Sequence, residues 1–152
     1  MNTENPMLHK EILLPTSDKV LNELNRTLPL SQFYLAGGTG LALIEGHRLS
    51  RDFDFFSPDL FNGEVLFQGM RGLNDLTIVA KSEHTLHLIV KEIKVSFLNY
   101  SYLLLYPTKK YQSKTGIVIK VADERDIDCM KISAISSRGT KCDFVDLFMA
   151  AQ

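Results

Sequence analysis

Phe33-Tyr34-Leu35-Ala36-Gly37-Gly38-Thr39, then Leu41-Ala42-Leu43-Ile44, and past Gly46 the run Asp52-Phe53-Asp54-Phe55-Phe56, form the stretch that decides the fold. Phe33 to Ala36 is a short apolar run ended by two glycines, which predicts a buried strand followed by a tight turn. Thr39 has the side chain to cap a short helix through Ile44, and Gly46 stops it. Asp52 to Phe56 alternates polar and aromatic residues, the period of a second strand. Residues two apart on a strand share a face. Asp52 and Asp54 are therefore expected to point together, while Phe53 and Phe55 enter the core.

Two carboxylates held about 5–7 Å apart repel one another unless solvent or a cation compensates. A divalent ion such as Mg²⁺ suits them, because it takes oxygen ligands and keeps positions open for phosphate. A solvated strand face carries Asp-x-Asp as well, and the tripeptide alone does not separate the two readings. Gly37-Gly38 has the same ambiguity. It is either a plain strand-to-helix turn or a place where amides near a helix N-terminus receive a phosphate. Together the two features describe a phosphate cradle beside a metal site. Phosphoryl and nucleotidyl transfer requires that combination, because its catalysis is mainly positioning and charge neutralisation.

Working outward, Ser17 or Asp18 is expected to cap a helix carrying Val20, Leu21, Leu24 and Leu28, interrupted by Pro29. Ser57-Pro58-Asp59 reads as a turn and helix start leading towards Leu66, Met70 and Leu73. Thr77 to Val79, Thr85 to Val90 and Ile93 to Leu98 read as strands of a meander. Ile117 to Ile119 adds a strand, Asp123 opens a helix through Ile135, and Thr140 opens another. The order predicts an α+β fold, a mixed β-sheet flanked by helices.

With 152 residues, 17 Lys+Arg and 18 Asp+Glu, the chain has the length of one domain and a formal net charge of -1. That balance argues against a strongly basic nucleic-acid binder. Cys129 and Cys142 form no metal-type Cys-x-x-Cys motif, and the N-terminus lacks the basic and apolar regions of a signal peptide. No apolar run approaches the ~20 residues that span a bilayer. A cytoplasmic protein with no membrane partner is expected.

The glycine turn and Gly46-His47-Arg48-Leu49-Ser50-Arg51-Asp52-Phe53-Asp54 together resemble the first motif of the AbiEii/AbiGii family. These are nucleotidyltransferase-like toxins of type IV toxin–antitoxin and abortive-infection systems. Lys131-Ile132-Ser133 through Arg138-Gly139-Thr140, with Asp143-Phe144-Val145-Asp146-Leu147, resembles the family's C-terminal signature. The resemblance covers roughly Phe33 to Phe148 and implies a minimal nucleotidyltransferase (polymerase beta-like) fold. It implies Asp52 and Asp54 as catalytic metal ligands, with Lys131 and Asp146 completing the catalytic set. Gly37, Gly38, Thr39, Arg48, Ser50 and Arg138 would contact the nucleotide or its phosphates. Thr140 to Asp143 has capping-box spacing, so Asp143 also reads as a plain helix start. Lys131 and Arg138 fall on one helical stripe with Ile127, Met130 and Ala134, which fits either a snorkelling cation or a phosphate ligand.

The expected activity is transfer of a nucleoside monophosphate from a nucleoside triphosphate to an acceptor, with Mg²⁺ or Mn²⁺ as cofactor. RNA, tRNA in particular, is the acceptor the resemblance suggests, and a cognate antitoxin is the partner it suggests. Two departures pull the other way. Ser96 occupies the position where nucleotidyltransferases often carry a third carboxylate, and Lys94 shares its face. The chain also stops at Gln152, so residues 1–152 are expected to form a single nucleotidyltransferase-like domain without the family's further helical region. The alternative reading is therefore a catalytically weakened or inactive relative that binds nucleotide or protein. A purely structural domain, binding no nucleotide, is the third.

Overall fold

A computed structural model describes residues 8–137 of the chain. The first long helix, α1 (Pro15–Thr27), starts with proline at its first position, where the missing N–H costs nothing and the fixed φ suits the helix. It starts before the expected cap, and Ser17 is buried inside its first turn. Asp18 in the first turn and Arg26 in the last complement the helix dipole. Leu28 leaves helical geometry ahead of Pro29, as a residue before proline tends to.

The strand, turn and helix foreseen around the glycines are present as β1 (Tyr34–Ala36) and α2 (Gly37–Glu45), the helix closed by Gly46 at φ +65°. β2 (Phe53–Ser57) follows, then α3 (Gly63–Met70). α3 starts at Asn62, whose side chain accepts from the Glu64 and Val65 amides, and not at Ser57-Pro58-Asp59. The meander is β3 (Leu76–Ser82), β4 (Thr85–Val90) and β5 (Ile93–Asn99). β6 (Lys109–Gln112), which the sequence reading missed, pairs with β7 (Val118–Val121) before α4 (Glu124–Ser137). Asp123 opens α4 as expected, accepting from the Arg125 amide at 3.0 Å. The helix expected from Thr140 lies outside the described residues.

The strands form one sheet in the order β3-β4-β5-β2-β1-β7-β6. β2 runs parallel to β5 and β1 parallel to β7, while the other pairs are antiparallel, so the sheet is mixed as expected. One face meets Val20, Leu21 and Leu24 of α1 and Met70 of α3 in the main core, which includes Phe53, Phe55 and Phe97. Phe55 and Phe97 stack with ring centroids 5.5 Å apart. Burying one such ring stabilises the fold by about 1.5–3 kcal/mol. A smaller cluster on the other face joins Tyr34 and Ala36 of β1 to Leu41 of α2 and to Ala122 and Ile127. β1 is thus buried on both faces, as its unbroken apolar run requires. No helix among the described residues is long and apolar enough to cross a membrane.

Candidate active site

The turn from β1 to α2 brings the glycine motif onto the aspartate motif. Ala36 pairs with Asp54 across β1 and β2, which places Gly37 beside the Asp54 side chain. Gly37 has φ +63°, and a Cβ there would lie 2.5 Å from Asp54 Oδ2. Only glycine permits both that backbone and that approach. No side chain caps α2. Its positive end therefore starts at the residue against which the carboxylate rests, a favourable arrangement for negative charge.

Thr39 has a different task from the expected cap. It is buried within the first turn of α2, and its hydroxyl donates to the Asp52 carbonyl and meets the Ser50 hydroxyl at 2.5 Å. The Ser50–Asp52 segment is thereby fastened to the start of α2. Asp52 immediately precedes β2, one residue outside the strand that sequence reading assigned to it. Both aspartates are half-buried. Arg48, Ser50 and Asp52 line one cavity of about 260 Å³ together with Ile12, Leu14, Leu49 and Arg51. The Arg48 guanidinium donates to the Leu49 carbonyl at 3.3 Å.

Ser96 on β5 is the register partner of Asp54 on β2. It is 3% exposed, and its Oγ lies 2.7 Å from Nδ1 of His87, its partner on β4. One row across the sheet therefore reads Ala36, Asp54, Ser96, His87. His87 escaped the sequence reading. The signal that would have found it is the two-residue turn Lys91-Glu92, which fixes the β4–β5 register. That turn lacks the usual Asn-Gly or Asp-Gly pair.

α4 packs against α2. Asp123 sits at its start, and the Arg125 guanidinium hydrogen-bonded to it holds the carboxyl below the usual aspartate range. The Asp126 carboxylate accepts from the Leu105 and Tyr106 amides at 2.9 and 3.1 Å, tying the β5–β6 connection to the helix. Ile127 packs so near α2 that a Cβ on Gly40 would lie 3.3 Å from its Cδ1. Lys131, one turn further along the same stripe, is 6% exposed. Asp146 and Arg138 lie outside the described residues.

Asp52 and Asp54 are the residues here whose oxygens suit a divalent ion. Among the described residues no cluster of three His, Cys, Asp or Glu side chains accompanies them. Two carboxylates are enough for an ion that takes its remaining ligands from water and substrate phosphates, as Mg²⁺ usually does. The donor set fits such an ion.

Over residues 19–152 the sequence matches the family described as nucleotidyl transferase AbiEii toxin, type IV toxin–antitoxin system. An uncharacterized protein of Aquifex aeolicus (strain VF5) is 40% identical over 120 residues, covering 78% of this chain and 57% of that protein. The chain thus spans a little over half the length of that relative. Among solved structures, the solution structure of the antibiotic-resistance factor ANT(2'')-Ia superposes with a TM-score of 0.56 at 8% identity, over 90% of this chain and 83% of that one. The crystal structure of ANT(2'')-Ia in complex with adenylyl-2''-tobramycin gives 0.53 at 10% identity, over 90% and 88%. At such identities the likeness is one of fold, and the fold is the expected nucleotidyltransferase fold.

Proposed function

The chain belongs to the AbiEii family of nucleotidyl transferase toxins, and from that premise we propose that it moves a nucleoside monophosphate from a nucleoside triphosphate to an acceptor, in a reaction dependent on a divalent metal. The observation that carries the reading is the apposition of Gly37 and Asp54 at the start of α2. It sets a carboxylate that would hold a divalent ion beside backbone amides at the positive end of a helix, which would favour phosphate.

In this reading Asp52 and Asp54 hold Mg²⁺ or Mn²⁺, which supplies neutralisation of phosphate charge. Gly37 and Gly38 let the backbone approach the phosphates. Thr39 and Ser50 keep Asp52 in place through their hydroxyls. Arg48, beside Asp52 in the same cavity, and the buried Lys131 of α4 contribute cationic charge for the triphosphate. Asp146 and Arg138 take the parts that the family resemblance assigns them. The acceptor proposed is RNA, tRNA first, and the partner is a cognate antitoxin; the cytoplasm is where both would be met.

Purified protein, labelled nucleoside triphosphates, Mg²⁺ and bulk tRNA test the proposal. Metal-dependent label transfer is expected, with loss in Asp52→Ala and in Asp54→Ala. Undiminished transfer in both variants would remove the site assignment. The second reading, a relative that binds nucleotide without turnover, is favoured by Ser96 in the third-acid position. Tight Mg²⁺-dependent nucleotide binding with no transfer selects it.

A further inference from the structure

Ser96 leaves the row beside Asp54 without a third acid, but not without a base. We infer that His87 takes the proton of the acceptor hydroxyl at Nε2, with the buried Ser96 hydroxyl holding the ring through Nδ1. The inference rests on the nucleotidyl-transfer reading above and deepens it.

Three observations carry it. Asp54, Ser96 and His87 are successive register partners on β2, β5 and β4. Adjacent strands are about 4.8 Å apart, so the His87 backbone is roughly 10 Å from that of Asp54. The imidazole crosses part of that distance, since its Nδ1 comes within 2.7 Å of Ser96 Oγ. Third, the two partners differ in exposure. Ser96 is buried, as an orienting group should be, while His87 is only half-buried and its ring can meet a substrate.

In this proposal Ser96 Oγ accepts from His87 Nδ1–H, which leaves the lone pair of Nε2 available. The same logic of base and orienting partner recurs wherever histidine serves as a general base. Among the described residues, the charged side chains sharing this face include Asp54 on β2, Lys94 two residues before Ser96 on β5, and Lys120 on β7, while β3 brings the neutral Ala80. As the acceptor oxygen bonds to the α-phosphorus, the bond from that phosphorus to the bridging oxygen breaks. Pyrophosphate leaves with the electron pair, and the acceptor's proton passes to Nε2.

The test uses the full chain. His87→Gln keeps a polar side chain of similar reach and is expected to lower kcat for transfer by about 10²-fold or more with KM for the triphosphate unchanged. Ser96→Ala, which removes only the positioning hydroxyl, is expected to lower kcat less and again to leave KM alone. ¹⁵N spectra of the histidine ring in mildly alkaline buffer are expected to show His87 protonated at Nδ1, and Ser96→Ala is expected to mix the tautomers. Transfer that needs Asp54 but proceeds at the wild-type rate in His87→Gln overturns this inference alone. So does a wild-type ring protonated at Nε2. Absence of any transfer by the wild-type protein overturns this inference and the parent reading together.

Discussion

Two corners of the sheet hold residues in left-handed backbone geometry, and they solve the same steric problem in opposite ways. At the β1–α2 corner the residue is Gly37, because a Cβ would intrude on the Asp54 carboxylate. At the far end the residues are Asp75, Lys91 and Glu92, with φ of 57°, 49° and 69°. Those three line an open depression of about 820 Å³, so their side chains have room. Lys91 Nζ lies 3.4 Å from Glu23 and 3.6 Å from Asp75, which ties the β4–β5 turn to α1. Left-handed geometry costs an ordinary residue about 1–2 kcal/mol. The contrast teaches that backbone strain alone is tolerated here, whereas strain combined with close approach to a carboxylate demands glycine.

The largest effect is expected where both demands coincide. Gly37→Ala should displace Asp54 and lower Mg²⁺-dependent nucleotide affinity by about 10²-fold, the upper range for disturbing a metal's supporting groups. It should also destabilise the fold by about 1–3 kcal/mol. Calorimetric titration and denaturant unfolding measure the two; an unaffected affinity would break the link between turn and carboxylate. Thr39→Val removes the hydroxyl that joins Ser50 to Asp52 while keeping the shape. A cost of about 1–3 kcal/mol and roughly tenfold weaker metal binding are expected from the unpaired carbonyl and the loosened segment.

Gly116→Ala isolates the backbone demand, since Gly116 has φ +89° with nothing within 4 Å of an added Cβ. About 1 kcal/mol of destabilisation with unchanged nucleotide affinity is expected. Replacing Lys91-Glu92 by Asn-Gly should act in the other direction. The turn residues then match the backbone, and a gain just under 1 kcal/mol is expected after loss of the partly exposed ion pairs. A lower denaturant midpoint in that variant would mean that Lys91 is worth more as a tie to Glu23 than the turn costs in strain.

Much of the central architecture was legible because its residues have few alternatives. Apolar β1 ended by glycines, aromatic alternation through Phe53 and Phe55, and the meander each carry a period that other structures do not share. Some of the misplaced features are set by contacts distant in sequence. Thr39 has the composition of a cap, yet Ser50 and Asp52 claim its hydroxyl, and that same bond keeps Asp52 just ahead of β2. β6 was missed because Lys109 and Lys110 depress its strand signal. It sits at the sheet edge, where charge is tolerated and discourages pairing with other chains. Asn62 starts α3 because its carboxamide reaches two amides, which Asp59 at an otherwise plausible start does not do. The Gly37–Asp54 apposition was readable as neighbourhood but not as contact; the carboxylate sits where a Gly37 Cβ would fall only once β1 and β2 are in register.

The parallel pairs of the sheet impose an order in time on the protein's synthesis. β1 is flanked by β2 and by β7, so Tyr34 must wait for Lys120 and Leu35 for Val121. β2 likewise waits for β5. A ribosome adds about 5–20 residues per second, and pairings so distant in the chain form slowly. A nascent chain that has emerged only to Asn99 carries the glycine turn and both aspartates, yet its β1 still lacks the neighbour that buries its second side. The glycine turn and both aspartates are therefore without their full set of strand neighbours until β7 has been made.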